Sequence, residues 1–227
     1  MVRGRLLFLV ALLGVMTGCP SVEERAPQQP DPGPAGSPEE LMEQLQPRDA
    51  AGGARYFGAA EAKACPAVDV KTSSGRKQEL RPAQRFRITV IVGWHPQSVN
   101  SRMALRHVAD LQNRYENYGV GAISVAVSPA GSGQAVGAAQ QLGVNLPMYF
   151  DKNGSAIRRL GRAAGADLPE ALPALFIVDG QGRIRFYRRG FRFTLQSIAG
   201  GRERWTLVEA AEPGRSLDDI LKRLMQE

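Results

Sequence analysis

The chain has 227 residues, 43% of them hydrophobic, with a formal net charge of +7 and only two cysteines. This length and hydrophobic content suffice for one α/β domain with short appendages. A mildly basic surface suits contact with anionic lipid headgroups or with acidic partners, and does not distinguish between them.

The N-terminus reads as a secretory signal over residues 1–18. It starts with two arginines, and the apolar stretch 6–16 that follows is too short to span a bilayer. The stretch ends in Met16-Thr17-Gly18-Cys19, which resembles the lipobox of bacterial lipoproteins. That resemblance implies that Cys19 carries a lipid anchor; an ordinary cleaved signal is the alternative. We therefore expect an exported protein held at a bacterial membrane, facing the periplasm or the cell exterior.

A lipidated Cys19 would constrain both chemistry and location. Cys65 would be the one remaining thiol, so neither an intrachain disulfide nor a two-cysteine redox cycle could form within one chain. Pro20 stands where lipoproteins of the inner membrane commonly carry aspartate, which favours the outer membrane. Export also argues against a nucleic-acid partner.

Two segments are predicted between the signal and the main domain. Residues 19–36 contain five prolines and almost no aliphatic bulk, which is typical of an extended tether. Residues 37–64 are predicted to be a short helical lead-in. It opens at Ser37-Pro38-Glu39-Glu40, where a capping hydroxyl and a proline at the first helical position favour a helix start.

From residue 65 the pattern predicts alternating strands and helices. A β-hairpin is predicted over 65–80, around a polar turn. The β-branched run 88–92 predicts a buried strand that stops at Gly93, and the apolar spacing over 100–117 predicts an amphipathic helix. The junction between strand and helix belongs to the sheet edge at which open α/β folds bind ligands.

The second half of the domain continues this pattern. Strands are predicted over 120–127 and 146–151, followed by helical segments over 131–142 and 156–160. Leu172-Pro173 then opens a further strand, which ends at Asp179.

A return strand and a closing helix complete the chain. Arg183 and Arg185 alternate with apolar residues on the return strand and are expected to face water. Residues 190–212 fit no element. A capping motif at Ser216 predicts a helix. Its buried side is predicted to consist of Leu217, Ile220, Leu221 and Leu224.

The junction Trp94-His95-Pro96-Gln97-Ser98 resembles the active site of the thioredoxin-like superfamily, most closely its TlpA-like oxidoreductases and the peroxiredoxin-related redoxins. Those proteins carry Trp-Cys-Pro-Xaa-Cys in this frame, and a proline-started strand like the one at Leu172-Pro173. The resemblance covers 65–227. It implies an α/β, thioredoxin-like fold with a central mixed β-sheet flanked by helices, an N-terminal hairpin and an inserted strand-helix unit.

The resemblance also implies a binding groove. In the family, the proline is cis and faces the active-site turn, and the backbone before it pairs with an extended substrate segment. These roles, carried over, assign the groove to Trp94, His95, Pro96, Leu172 and Pro173. The expected occupant is a protein or peptide of the cell envelope.

Both family cysteines are replaced here, by His95 and Ser98. A helix N-terminus lowers the pKa of a thiol only where a thiol is present, which puts dithiol chemistry in doubt. The helix dipole should keep His95 neutral, and no visible residue orients it towards Ser98 as a triad requires. His107 lies ~18 Å along the same helix, at ~1.5 Å per residue, too far to share a metal ion with His95. No metal and no cofactor are therefore expected.

Two functions remain open from the sequence. The first is a lipid-anchored, redox-inactive thioredoxin-like module that binds a protein or peptide in this groove. The second is a thiol-disulfide oxidoreductase or peroxidase-like protein that uses Cys65 alone, through a mixed disulfide with a partner thiol. The second requires a Cys65 thiol of lowered pKa, and the first does not.

Overall fold

The computed structural model describes residues 54–82, 86–166, 172–190, 192–198, 202–208 and 216–227. The predicted signal, the tether with Cys19, and positions 37–53 of the predicted lead-in lie outside these ranges. The described strands are β1 (Ala54–Tyr56), β2 (Lys63–Ala64), β3 (Val68–Lys71), β4 (Lys77–Leu80), β5 (Ile88–Trp94), β6 (Val120–Val127), β7 (Met148–Asp151), β8 (Ala174–Asp179), β9 (Arg183–Arg189), β10 (Arg192–Ile198) and β11 (Arg202–Val208). The described α-helices are α1 (Val99–Tyr115), α2 (Ser132–Gln141), α3 (Ser155–Ala163) and α4 (Leu217–Gln226), and a 3-10 turn spans Glu116–Tyr118.

Nine of the described strands form one mixed sheet, in the order β1-β9-β8-β5-β6-β7-β3-β4 with β2 also paired to β9. Strands β5, β6 and β7 run parallel, whereas β8 runs antiparallel to β5. Every residue of β5 and β8 is buried, as expected of strands covered on both faces. The predicted α/β class with a central mixed sheet is confirmed, and so is the N-terminal hairpin, formed by β3 and β4.

Helices cover both faces of this sheet. Leu105 of α1 and Leu221 of α4 belong to one apolar core cluster, which also contains Val90 and Val92 of β5. Leu160 of α3 belongs to a second cluster, which contains the intervening β5 residue Ile91. Because side chains alternate along β5, its residues pack in two core clusters, one on each face of the sheet. The predicted buried side of the closing helix is confirmed, since all four of its leucine and isoleucine residues are buried.

The sheet begins earlier than the sequence pattern indicated. Strands β1 and β2 both pair with β9, so the prediction of a helical lead-in is wrong for residues 54–64. The main sheet starts at Ala54 and not at residue 65. These two segments are too short for their sequences to show the two-residue alternation of a strand. Their extended conformation follows from pairing with the side of β9 that β8 leaves free.

The expectation that the β9 arginines all face water is also wrong. Arg185 is 2% exposed and Arg188 is 3% exposed. The guanidinium of Arg185 donates to the backbone oxygen of Phe57 at 3.1 Å and to a carboxylate oxygen of Glu227 at 2.5 Å. The residue after β1 and the residue after α4 supply these partners, and neither was visible from the alternation within β9.

A β-bulge explains why the alternation failed. Ile184 pairs with Val178 and Phe186 pairs with Ile177, so Arg185 is one extra residue on β9. Ile184 consequently packs in one core cluster and Phe186 in the other. Without the bulge, residues two apart would share a face.

The region 190–212, unassigned from its sequence, contains a second sheet. Strands β10 and β11 pair antiparallel, from Arg192 opposite Val208 to Ile198 opposite Arg202.

Among the helices that the structure describes, none is both long and apolar enough to cross a membrane.

Candidate functional site at the strand ends

The residues of the predicted groove come together at one edge of the sheet, where the strands β5 to β7 end. The carboxyl ends of β5, β6 and β7 meet there because the three strands are parallel. Strand β8 is antiparallel, and Ala174 at its start lies opposite Gly93 of β5. Pro173 therefore comes to the same edge as the turn after Trp94, as the resemblance implied.

The turn after β5 is held by its own side chains. The Ser98 hydroxyl accepts a hydrogen bond from the backbone N–H of Ser101 at 3.3 Å and caps helix α1. Nδ1 of His95 accepts one from the backbone N–H of Gln97 at 3.2 Å. Both residues at the family's cysteine positions thus stabilise the turn, and no hydrogen bond joins His95 to Ser98 through their side chains among the contacts of the described residues.

Trp94 lies in the core and does not contribute to the surface of the predicted groove. Its side chain is fully buried, at 0% exposure, in the core cluster under α1. Strand β5 runs one residue further than predicted, through Trp94, and this turns the indole inwards. Pro96 and Pro173 are also buried, so the surface of the predicted groove comes from His95 and Leu172, which are partly exposed.

The proline opposite the turn has the expected conformation. The Leu172-Pro173 peptide bond is cis. The backbone oxygen of Pro173 accepts a hydrogen bond from Gly190 at 2.8 Å, which ties the start of β8 to the end of β9.

Cys65 lies at the opposite edge of the sheet. Its backbone N–H donates to Gly182 in the β8–β9 turn at 2.8 Å. That turn and Pro173 lie at opposite ends of strand β8. Because the six residues of β8 span five intervals of ~3.4 Å, the two ends of the strand are ~17 Å apart. Cys65 is a free thiol, and burial raises its pKa to about 12. It is therefore protonated at neutral pH and far from the turn.

A cavity of about 230 Å³ opens at the same ends of the strands, and the sequence did not reveal it. Val127 at the end of β6, Ile157 of α3 and Leu172 supply its apolar part, while Lys152 and Arg158 supply cationic side chains. Its signal in the sequence is the polar turn Lys152-Asn153-Gly154 that follows the strand predicted over 146–151. None of the residues 94–98 lines the cavity.

Gly93 of the central strand β5 lies directly beneath helix α3, whose residue Ile157 lines the cavity. A Cβ atom at Gly93 would lie 2.6 Å from Cδ1 of Ile157, closer than van der Waals contact permits. The glycine thus lets α3 pack directly on β5, and helix α3 in turn places Ile157 and Arg158 at the strand ends.

The described ranges contain no group of three or more His, Cys, Asp or Glu side chains arranged to hold a metal ion. His107 is partly buried on α1, and burial is the main cause that lowers its pKa. It lies among charged neighbours, and the nearest charged groups include Asp110, Arg114 and Asp218.

Residues 62–187, more than half of the chain, match the sequence model of the AhpC/TSA family. The chain belongs to the AhpC/TSA family. This AhpC/TSA domain accounts for the main sheet from β2 to β9 and for helices α1 to α3. No curated protein matches the chain.

Solved structures agree with the fold of this AhpC/TSA protein. A secreted thiol-disulfide isomerase from Corynebacterium glutamicum is 12% identical, with a TM-score of 0.52 over 63% of this chain and 85% of its own. A DsbF homologue from Corynebacterium diphtheriae is 12% identical, with a TM-score of 0.49 over 63% and 87%. A protein assigned as the thiol:disulfide interchange protein DsbE of Chlorobium tepidum is 18% identical, with a TM-score of 0.48 over 58% and 86%. The thioredoxin-like redoxin fold predicted from the sequence is confirmed.

Proposed function

We propose that this AhpC/TSA protein is a redox-inactive binding module of the cell envelope, which holds a protein or peptide at the edge formed by His95 and Leu172. One observation carries the proposal. The family's active-site turn keeps its strand, its helix and its cis-proline, while Ser98 and His95 replace sulfur and stabilise the turn by hydrogen bonds.

The alternative, a single-thiol oxidoreductase, fits the geometry poorly. Thiol-disulfide exchange needs a thiolate that can reach the substrate disulfide. The thiol of Cys65 is protonated at neutral pH because burial raises its pKa to about 12. It also lies at the edge of the sheet away from His95, so the cis-proline cannot position a substrate against it.

The proposal includes export and a lipid anchor on Cys19. Its support is the signal-like start with its lipobox-like end, together with the secreted isomerase among proteins of similar fold. Metabolic labelling with a fatty-acid analogue should mark the wild-type protein and not the Cys19→Ser variant. Equal labelling of both would contradict the anchor.

Disulfide reduction separates the two functions. We would follow insulin reduction by the mature chain in a Cys19→Ser background, alone, with Cys65→Ser, and with His95→Cys plus Ser98→Cys. The first two should be inactive, and the third should gain activity because it restores both thiols at the helix N-terminus. Parent activity that disappears with Cys65→Ser would overturn the proposal in favour of a single-thiol enzyme.

Binding can be tested at the edge itself. A photocrosslinking amino acid at exposed Gln97 should give discrete adducts in the cell envelope, while the same group at exposed Lys222 of α4 should not. The Gln97 adducts should disappear with Leu172→Asp, which places a charge on the groove surface. Adducts that are the same at both positions would argue against a binding edge.

A further inference from the structure

The turn between β7 and α3 contains an asparagine followed by a glycine. Asn153 is exposed, and Gly154 comes directly after it. The chain has five asparagines, and this is the one that a glycine follows. A glycine has no Cβ atom to shield its backbone nitrogen or to restrict its backbone. The side-chain amide of Asn153 therefore lies beside the least hindered peptide nitrogen that a sequence can offer.

The side chain of Asn153 is folded back over that peptide. Its Oδ1 atom accepts a hydrogen bond from the backbone N–H of Ser155 at 3.3 Å, the arrangement known as an Asx turn. Negative charge that develops on Oδ1 during an attack at Cγ would meet this donor, as in an oxyanion hole. Ser155 is also the first residue of helix α3, and the positive end of the helix dipole favours the same charge.

The nitrogen of Gly154 is not engaged in another interaction. Among the hydrogen bonds of the described residues, none has the Gly154 N–H as its donor. The carboxylate of Asp151 instead accepts a hydrogen bond from the backbone N–H of Ala156 at 2.7 Å. An attack by the Gly154 nitrogen therefore breaks no hydrogen bond made by that nitrogen.

We infer that Asn153 is a site of spontaneous deamidation, in which the Gly154 nitrogen attacks the side-chain amide. The bond from this nitrogen to Cγ forms, the Cγ–Nδ2 bond breaks, and ammonia leaves with the proton of the Gly154 N–H. Water then opens the cyclic imide at one of its two carbonyl carbons. Opening at Cγ gives aspartate, and opening at the backbone carbonyl gives isoaspartate, in which the main chain continues through Cγ. Water is the only co-reactant, and nothing is oxidised or reduced.

Both products change the turn that lines the cavity beside Leu172. Each places a carboxylate where Asn153, a lining residue, carries a neutral amide. Aspartate keeps an acceptor for the Ser155 N–H and is favoured at the start of a helix. Isoaspartate lengthens the main chain by one atom, which alters the geometry of the turn. The inference goes beyond the proposed function and does not depend on it, since the reaction needs neither a partner nor the groove.

Peptide mass spectrometry of one incubated sample tests the inference. The mature Cys19→Ser chain is held in neutral buffer, and conversion of amide to acid is followed at Asn117, Asn145 and Asn153, all of which are exposed. Tyrosine follows the first of these and leucine the second. Conversion at Asn153 should be at least about tenfold faster than at the other two, because only glycine leaves the attacking nitrogen unhindered. Aspartate and isoaspartate should both form, and more slowly in mildly acidic buffer, where the Gly154 N–H is harder to deprotonate.

Two glycine substitutions provide the matched comparison. Gly154 and Gly143 both have a left-handed backbone, with φ of +74° and +64°, so alanine brings similar strain to each. A Cβ atom at Gly154 would lie 3.5 Å from Nη1 of Arg158 and 3.7 Å from Cγ1 of Val127, which are ordinary contact distances. Gly154→Ala should slow the reaction at Asn153 at least about fivefold, whereas Gly143→Ala should leave it unchanged. Circular dichroism checks that both variants are folded.

Equal conversion at the three asparagines would overturn the inference, and so would a rate at Asn153 that is the same in Gly154→Ala as in Gly143→Ala. The comparison within the parent chain decides the matter even where a variant does not fold. Neither result bears on the binding module, which the adducts at Gln97 test separately.

Discussion

At the scale of single residues, burial decides the chemistry of Cys65. Its thiol packs against the core cluster that contains Leu160, and its side chain has a backbone oxygen of Pro66 as a neighbour at 3.9 Å. No cationic side chain contributes to its pKa, which desolvation alone raises to about 12. Activated thiols are found in the opposite environment, exposed and close to positive charge.

We predict that Cys65 alkylates slowly, with a rate that still rises at pH 9 and reaches no plateau there, because at a pKa of about 12 the thiolate fraction keeps growing. Iodoacetamide labelling of the native Cys19→Ser chain measures this, and the same chain in urea should react with the profile of an ordinary thiol, near pKa ~8.5. Because the folded-state pKa is raised, the stability due to the neutral thiol is complete below the unfolded pKa and is lost as pH rises towards about 12. A native rate that levels off between pH 8 and 9, as for an ordinary thiol, would contradict the prediction.

At the scale of elements, the residue that replaces the family's second cysteine stabilises the N-terminus of helix α1. Ser98 caps the helix through its hydroxyl, and the helix presents Leu105, Val108 and Leu111 to the core. The sequence predicted both the helix and its apolar face. It did not show that the serine in the family's second cysteine position would act as the cap.

We predict that Ser98→Ala lowers the free energy of unfolding by about 0.5–2 kcal/mol, because the N–H of Ser101 loses its acceptor. Ser98→Asp should retain most of the stability, since aspartate also caps and favours the positive end of the helix dipole. Urea denaturation of the two variants and the parent provides the comparison. If alanine and aspartate behave alike, the hydroxyl does not stabilise the helix.

At the scale of the whole molecule, Arg185 connects segments that are far apart in sequence. It contacts the segment after β1 through the Phe57 oxygen, the end of β8 through Asp179 at 3.5 Å, and Glu227 after α4 at 2.5 Å. The hydrogen bond from Arg185 is the main cause that lowers the pKa of Glu227. A buried guanidinium with several partners is stable only while those partners remain.

We predict that Glu227→Gln destabilises the protein by about 1 kcal/mol at pH 7, a value reduced for the partial exposure of the carboxylate. Since the folded-state pKa of Glu227 is lowered, its contribution is complete above the unfolded value of ~4.3 and is lost as pH falls through the folded value. Urea denaturation should therefore show a difference from the parent at pH 7 that shrinks near pH 3.

Glu116→Gln, on an exposed turn, is the control and should change little at either pH. A Glu227→Gln effect that is equal at both pH values would show that the ion pair with Arg185 is not its cause. Arg185→Met should cost more than Glu227→Gln, because it leaves the buried carboxylate of Asp179 with fewer partners.

The local sequence determined the strands of the central sheet from β3 to β9, its helices and the redoxin resemblance, because buried β-branched runs, amphipathic spacing and capping motifs are properties of neighbouring residues. It also determined that positions 95 and 98 carry no sulfur.

Only the tertiary structure placed Cys65 and Pro173 at opposite edges, buried Arg185 through a bulge, paired β1 with β9, and assembled the cavity from Val127, Lys152 and Leu172. These features join residues distant along the chain. Their geometry depends on strand register and on which helix covers which face, and no short stretch of sequence encodes either.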